Sequence, residues 1–236
     1  TDVAEQIRDV LLGLPARSAV NIPGLSAEIM ERLKPHLQLA ETLGLLISQL
    51  AGGQVEELEV RLQGEFSEHP SQPLVIAALK GLLSNALGER INYVNAALEA
   101  KARGIHVLEV KDEASRDFAG GSLQLTTRGS QGGHSVTGAV FADGELRVTT
   151  IDEFPVNVPP SRHMLFTRHR DMPGIIGQLG SVLGEHNVNI ASMQVGRRIV
   201  RGDAVMVLSI DDPIPPTLLA NINAIDGIQE AHPVTL

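Results

Sequence analysis

"RHRDMPGIIGQLGSVLGEHNVNI", residues 168–190, decides how the last third of the chain folds. A strand runs out at His169-Arg170-Asp171, a Pro-Gly pair turns the chain, and helix pattern follows to His186. Pro173 suits the first helical position, where its missing N–H is not needed. Val188-Asn189-Ile190 then opens another strand. The segments around this stretch are strand HMLFTRH, helix PGIIGQLGSVLGEH, strand NIASMQVGRR, strand AVMVLSID, helix PPTLLANINAI and strand IQEAHPVTL. Their order is β-α-β-β-α-β over about 75 residues, the ferredoxin-like split βαβ.

Upstream, PVNVPPS at 155–161 carries three prolines and reads as a linker, so a domain boundary is placed there. Before it come four strands, IHVLEVK, SLQLTTRG, HSVTGAVFADG and ELRVTTIDEF, the last two joined by a turn through Asp143-Gly144. VEELEVRLQG at 55–64 alternates imperfectly, like a strand. Helices are expected over 73–87, with Pro73 in the first turn, and over 91–104, closed by Gly104. A long helical pattern runs from Ser26 to Leu50 with Ile29, Leu33, Leu37, Ala40, Leu43 and Ile47 on one stripe. Pro35 lies inside it and is expected to kink or split it. Residues 2–13 read as a helix, and 15–24 as an extended linker. The fold class is α+β, two α/β sandwich domains: 1–19 a helix end and linker, 20–157 the first domain, 158–236 the second.

Composition narrows the function. The 236 residues carry a formal net charge of −9 and only 3% aromatics. That disfavours nucleic-acid partners, which need basic surfaces and stacking platforms. No cysteine is present, which removes disulfides, thiolate metal sites and a cysteine nucleophile. No apolar run is long enough for a bilayer and no secretory signal is seen, so no membrane partner and a cytoplasmic location are expected. The chain begins Thr1-Asp2-Val3 without methionine, and a fragment or processed chain is expected.

No catalytic constellation emerges. Gly174, Gly177 and Gly180 are spaced three apart, which fits close helix packing rather than a dinucleotide cradle. His163 and His169 share a strand face but lie about 20 Å apart, too far for one metal. The stretch at 168–190 does suit a small polar ligand. Free N–H groups near Gly174 and Ile175, with the helix dipole, favour an anion. Asp171 can hold an ammonium, and Asn189 offers donor and acceptor together. That set suits an amino-acid zwitterion. Asp171 as a simple helix cap, Asn189 as a strand-start bond and His169 as an ordinary histidine stay open as alternatives.

The stretch RHRDMPGIIGQLGSVLGEHNVNIASMQVGR resembles an ACT domain, the ligand-binding regulatory module of amino-acid metabolism. With AEQIRDVLLGLPARSAVNIP, PLVIAALKGLL, INYVNAALEAKARGI and DEFPVNVP, essentially the whole sequence is similar to the carboxyl-terminal half of D-3-phosphoglycerate dehydrogenases of the long type. The resemblance implies an intervening, allosteric substrate-binding-like domain followed by an ACT domain. It implies L-serine as effector, held by His169, Asp171, Pro173, Gly174 and Ile175, with Asn189 supplied by a partner subunit. It implies a homo-oligomer paired through ACT domains, and an NAD-dependent parent enzyme whose catalytic domains precede Thr1. No cofactor and no metal are expected in this piece, and catalysis is not expected of it alone. The intervening domain of some members binds phosphate, for which Lys101, Arg147 and Arg162 are the basic candidates. Two other readings remain: a subunit of iron–sulfur L-serine dehydratase, and an oligomerisation module without effector.

Overall fold

The computed structural model describes residues 27–112, 121–130 and 132–236. The expected helix over 2–13 and the linker over 15–24 lie outside them. The first element is α1, Ala27–Leu50. Leu33, Ala40, Leu43 and Ile47 of the expected stripe are buried, and so are Leu39, Leu46 and Leu50. Ile29 is instead exposed, and Leu37 only half-buried. More of the circumference is covered than one stripe allows, because α1 packs on a sheet, on a second helix and on the last strand. Pro35 does not split α1. Packing on both sides of it outweighs the one hydrogen bond it removes.

Strand β1, Val55–Gln63, follows, with Leu58, Val60 and Leu62 facing the helices. Its other face is polar, with Arg61 2.7 Å from Glu59 and Arg128 paired with Glu57. A short 3-10 turn, Gly64–Glu68, buries Phe66 and leads into α2, Ser71–Leu87. Helices α1 and α2 touch backbone to backbone: a Cβ at Gly44 would lie 2.2 Å from the Ala78 carbonyl oxygen, and one at Gly81 2.0 Å from that of Glu41.

Helix α3 covers only Ala96–Ala102, shorter than the expected 91–104. Asparagine chemistry takes the place of its first turn. The Asn92 side chain accepts from the Val94 and Asn95 N–H groups, and Asn95 accepts from the Asn92 N–H at 2.8 Å. Such local side-chain bonds compete with the helix ladder.

Strands β2 (His106–Asp112), β3 (Ser122–Gly129), β4 (Ser135–Val140) and β5 (Leu146–Ile151) lie where the sequence places them. The expected linker at 155–161 is corrected in part: Phe154–Val158 form β6, an edge strand on β5. Proline is tolerated there because an edge strand can spare an N–H. The first sheet has the order β2-β1-β3-β4-β5-β6, with only β1 and β2 parallel. The β5–β6 turn is made by Asp152 and Glu153, both at positive φ without being glycine (47° and 67°). Asp152 is fastened from opposite sides, accepting from the Ser135 N–H at 2.8 Å and bonding His134 Nδ1 at 2.7 Å.

After β6 come β7 (His163–Arg170), α4 (Ile175–Glu185), β8 (Ile190–Arg197), β9 (Asp203–Ile210), α5 (Pro216–Asn223) and β10 (Ile228–Thr235). Their sheet has the order β10-β7-β9-β8 and is antiparallel throughout, the expected βαββαβ arrangement. Leu165, Met206 and Leu208 meet Leu179, Leu183, Leu218 and Ile222 of the two helices. The opposite face, with Met164, Phe166, Val205, Val207 and Val234, joins the first core beside Phe154, Val156 and Val158. β6 is therefore the layer through which the two sheets share a core. Gln49 of α1 adds a two-way bond to the Thr235 backbone, at 2.9 and 3.0 Å.

The glycines on α4 do not pack as expected: a Cβ at Gly177 or Gly180 would meet nothing within 4 Å.

Candidate effector site at the start of helix α4

The loop after β7 is held by its backbone. The Arg170 N–H donates to Gly227 O at 2.9 Å and the Asp171 N–H to Gly202 O at 2.8 Å. These bonds tie it to the α5–β10 turn and to the β8–β9 hairpin. Pro173 precedes Gly174, which caps α4 at φ 92°, a conformation glycine adopts without a Cβ clash. No side chain caps this helix. The Ile175 N–H donates to the Met172 carbonyl oxygen at 3.5 Å, and the amides that follow it are left to water or to a ligand.

Asp171 is therefore not a helix cap. Its Oδ2 accepts from the Arg201 N–H at 3.1 Å and from Arg197 Nη1 at 2.9 Å. The Arg201 amide first, and Arg197 next, hold its carboxyl below the usual carboxylate range. A cleft of about 340 Å³ is lined by Asp171 to Gly174 and by Ile176, Arg197, Val200 and Arg201. The charged carboxylate, the guanidinium and the open helix start thus share one concavity.

The other expected residues lie as follows. Ile175 is buried in the core of the second sheet and does not line the cleft. His169 is buried too, at 1% exposure, and its Nδ1 has no hydrogen-bond partner. Burial lowers its pKa, with the nearby Asp171 charge opposing the shift, so the ring is neutral at pH 7. Asn189 sits at the far end of the same sheet, before β8, roughly 25 Å from the cleft by strand rise. There its Nδ2 donates to Asp211 Oδ2 at 2.7 Å. Within one protomer it does not reach Asp171.

The three basic candidates stand on three separate elements. Lys101 ends α3, Arg147 lies on β5 paired with Glu145 at 2.5 Å, and Arg162 stands in the connector before β7. Sequence reasoning missed Arg197 and Arg201. The stretch QVGRRIVR shows them as arginines at and just beyond a strand end, but only the β8–β9 pairing brings the Arg197 side chain and the Arg201 N–H onto Asp171.

A second cleft, of about 630 Å³, lies where the two sheets meet and is lined by Arg128, Gly132, His134, Asp152 and Arg168. The Asp152 hydrogen bond raises the His134 pKa against the opposing effect of burial. Among the described residues no three His, Asp or Glu side chains converge as metal ligands, and no helix is long and apolar enough to cross a membrane.

Residues 32–152 match the family described as the D-3-phosphoglycerate dehydrogenase intervening domain, and residues 163–227 match the ACT domain. The chain is 65% identical over 236 residues to a Synechocystis protein named D-3-phosphoglycerate dehydrogenase, covering 100% of this chain and 42% of that protein. It is 35% identical to the protein of that name from Methanocaldococcus jannaschii, covering 100% and 44%. It is 29% identical to the one from Bacillus subtilis, covering 96% and 43%. The chain spans less than half the length of these relatives.

Proposed function

Since the chain belongs to the D-3-phosphoglycerate dehydrogenase intervening-domain family and carries an ACT domain after it, we propose that it senses L-serine for an NAD-dependent D-3-phosphoglycerate dehydrogenase. In this reading two ACT domains pair in a homo-oligomer. The effector's ammonium meets Asp171 and its carboxylate meets the α4 start. Asn189 of the partner subunit closes the pocket from the other side. Oxidation of 3-phosphoglycerate with NAD would belong to parts of the parent polypeptide outside this sequence.

The observation that carries the reading is Asp171 itself. It is fixed by its backbone and charged at neutral pH. It opens into a cleft beside uncapped helix amides instead of capping them. Serine acts as an effector only by binding two quaternary states unequally. A coupling of about 1–3 kcal/mol would change substrate affinity or rate severalfold. The connector between β6 and β7 and the shared core at β6 are where rigid-body motion would be felt.

Calorimetric titration of the protein with L-serine, D-serine and glycine tests this. Saturable binding specific to L-serine, lost in Asp171→Ala and in Asn189→Ala, is expected. Unchanged affinity in both variants refutes the assigned pocket.

A further inference from the structure

We propose that Arg197 is the carboxylate-binding residue of the effector site, so that Asp171 and Arg197 together read both ends of an amino-acid zwitterion. The proposal rests on the effector reading above and adds to it a residue and a selection rule. The two charges of an α-amino acid are separated by a single carbon. The groups that recognise both must therefore be neighbours of opposite sign, held at a fixed spacing. Asp171 and Arg197 are such a pair, with Nη1 2.9 Å from Oδ2.

The pair is held from both sides. Asp171 is anchored by its own N–H on Gly202 and by the Arg201 N–H on its carboxylate. Arg197 ends β8 in register with Ala204 of β9, so its backbone is part of the sheet. Oδ2 of Asp171 carries both bonds, and Oδ1 takes none from the described residues. Arg197 uses one nitrogen on Asp171 and has a half-exposed side chain, which leaves most of its five donors for a ligand. A guanidinium presents them as a planar fork that matches a carboxylate.

Most neighbouring charges are engaged elsewhere, and Arg201 is the one further cation lining the cleft among the described residues. Asp203 takes Arg168 at 3.6 Å and Gln229 at 3.1 Å, and Arg198 takes Glu153. Arg201 is engaged through its backbone. A bound zwitterion would complete a ring of alternating charge: ammonium, Asp171, Arg197, carboxylate. The open start of α4 adds positive potential on the carboxylate side. No existing bond need break. An amine without a carboxylate, or an acid without an amine, can satisfy only half of the ring.

The test is a cycle between protein and ligand. L-serine, ethanolamine (no carboxylate) and 3-hydroxypropanoate (no amine) are titrated calorimetrically into the wild-type protein, Arg197→Met and Arg197→Lys. In the wild type, removing the carboxylate from the ligand is expected to weaken binding at least tenfold. In Arg197→Met that loss is expected to shrink to within about threefold, with Arg197→Lys between them, since a lysine keeps the charge but not the fork. Thermal unfolding of each variant, unchanged within a few degrees, separates this from misfolding. If Arg197→Met binds L-serine as tightly as the wild type, or tighter, Arg197 only screens Asp171: the inference falls and the effector reading stands. If the wild-type protein binds none of the three, the effector reading falls and takes the inference with it.

Discussion

Replacing Gly44 by alanine tests the contact on which the first core is built. The added Cβ would stand 2.2 Å from the Ala78 carbonyl oxygen and 2.9 Å from the Leu82 nitrogen, both backbone atoms of α2. Ordinary contact needs about 3.4 Å, so the two helices would have to separate by about 1.2 Å. A gap of that size forfeits half or more of the dispersion energy along the shared face. Leu43, Ile47, Ala77 and Leu82 lie in the core along these two helices. Overpacking of this kind costs about 1–3 kcal/mol, and backbone obstruction places Gly44→Ala at the upper end or beyond. Better helix propensity returns about 1 kcal/mol. The net loss is about 2 kcal/mol or more, a fall in Tm of roughly 4–8 °C or more for a protein of this length. Gly184→Ala on α4 is the control, because its Cβ would meet nothing within 4 Å. The same chemical change there is expected to leave Tm unchanged or raise it by up to about 3 °C. The assay is thermal unfolding followed by circular dichroism at matched concentration. Equal Tm changes in the two variants would refute the reasoning, since they would mean the helices do not meet at Gly44.

Three further outcomes are expected. Gly196→Ala places a Cβ 2.4 Å from the Pro155 carbonyl oxygen; it should lower stability by about 1–3 kcal/mol and speed tryptic cleavage after Arg162, and an unchanged digestion rate would mean β6 does not clamp the two sheets. Gly174→Ala forces alanine to φ 92° in open space; strain alone should cost roughly 1–2 kcal/mol by urea unfolding, and no loss would show that the α4 start relaxes freely. The folded-state pKa of His134 is raised by Asp152, with Glu230 assisting and Arg168 opposing. Its contribution to stability is therefore fully present below the ordinary value of 6.5 and is lost as pH rises through the raised value. The urea-midpoint difference between wild type and His134→Gln should shrink across that window, and a difference that grows with pH would reverse the assignment.

Much of this was legible in the sequence. Alternation in Leu58, Val60 and Leu62 marks β1, and the order of strand and helix periods after His163 predicts the second sheet. Two local readings failed for physical reasons, and the split allowed for at Pro35 did not occur. Pro155 suggested a linker, yet an edge strand can hold proline, and burial of Phe154, Val156 and Val158 between the sheets supplied the incentive. Asn92 and Asn95 replaced a helical turn with side-chain bonds that helix periodicity cannot reveal. Pro35 was tolerated because α1 is packed on several sides.

The candidate site divides along the same line. Asp171, Pro173 and Gly174 were identifiable because a strand end, a Pro-Gly turn and a helix start are contiguous, and local geometry follows from contiguous residues. Arg197 was not, for it stands 26 residues beyond Asp171 and reaches it only through the pairing of β8 with β9. In the same way nothing local announces that Gly196 must pass beneath Pro155, or that Asn189 finishes at the opposite end of the sheet from Asp171. Periodicity and turn chemistry act over a few residues, and they determined the elements and their apolar faces. Strand order, register and the docking of one sheet on another depend on which of those faces still need cover, and that is settled only when the whole polypeptide has folded.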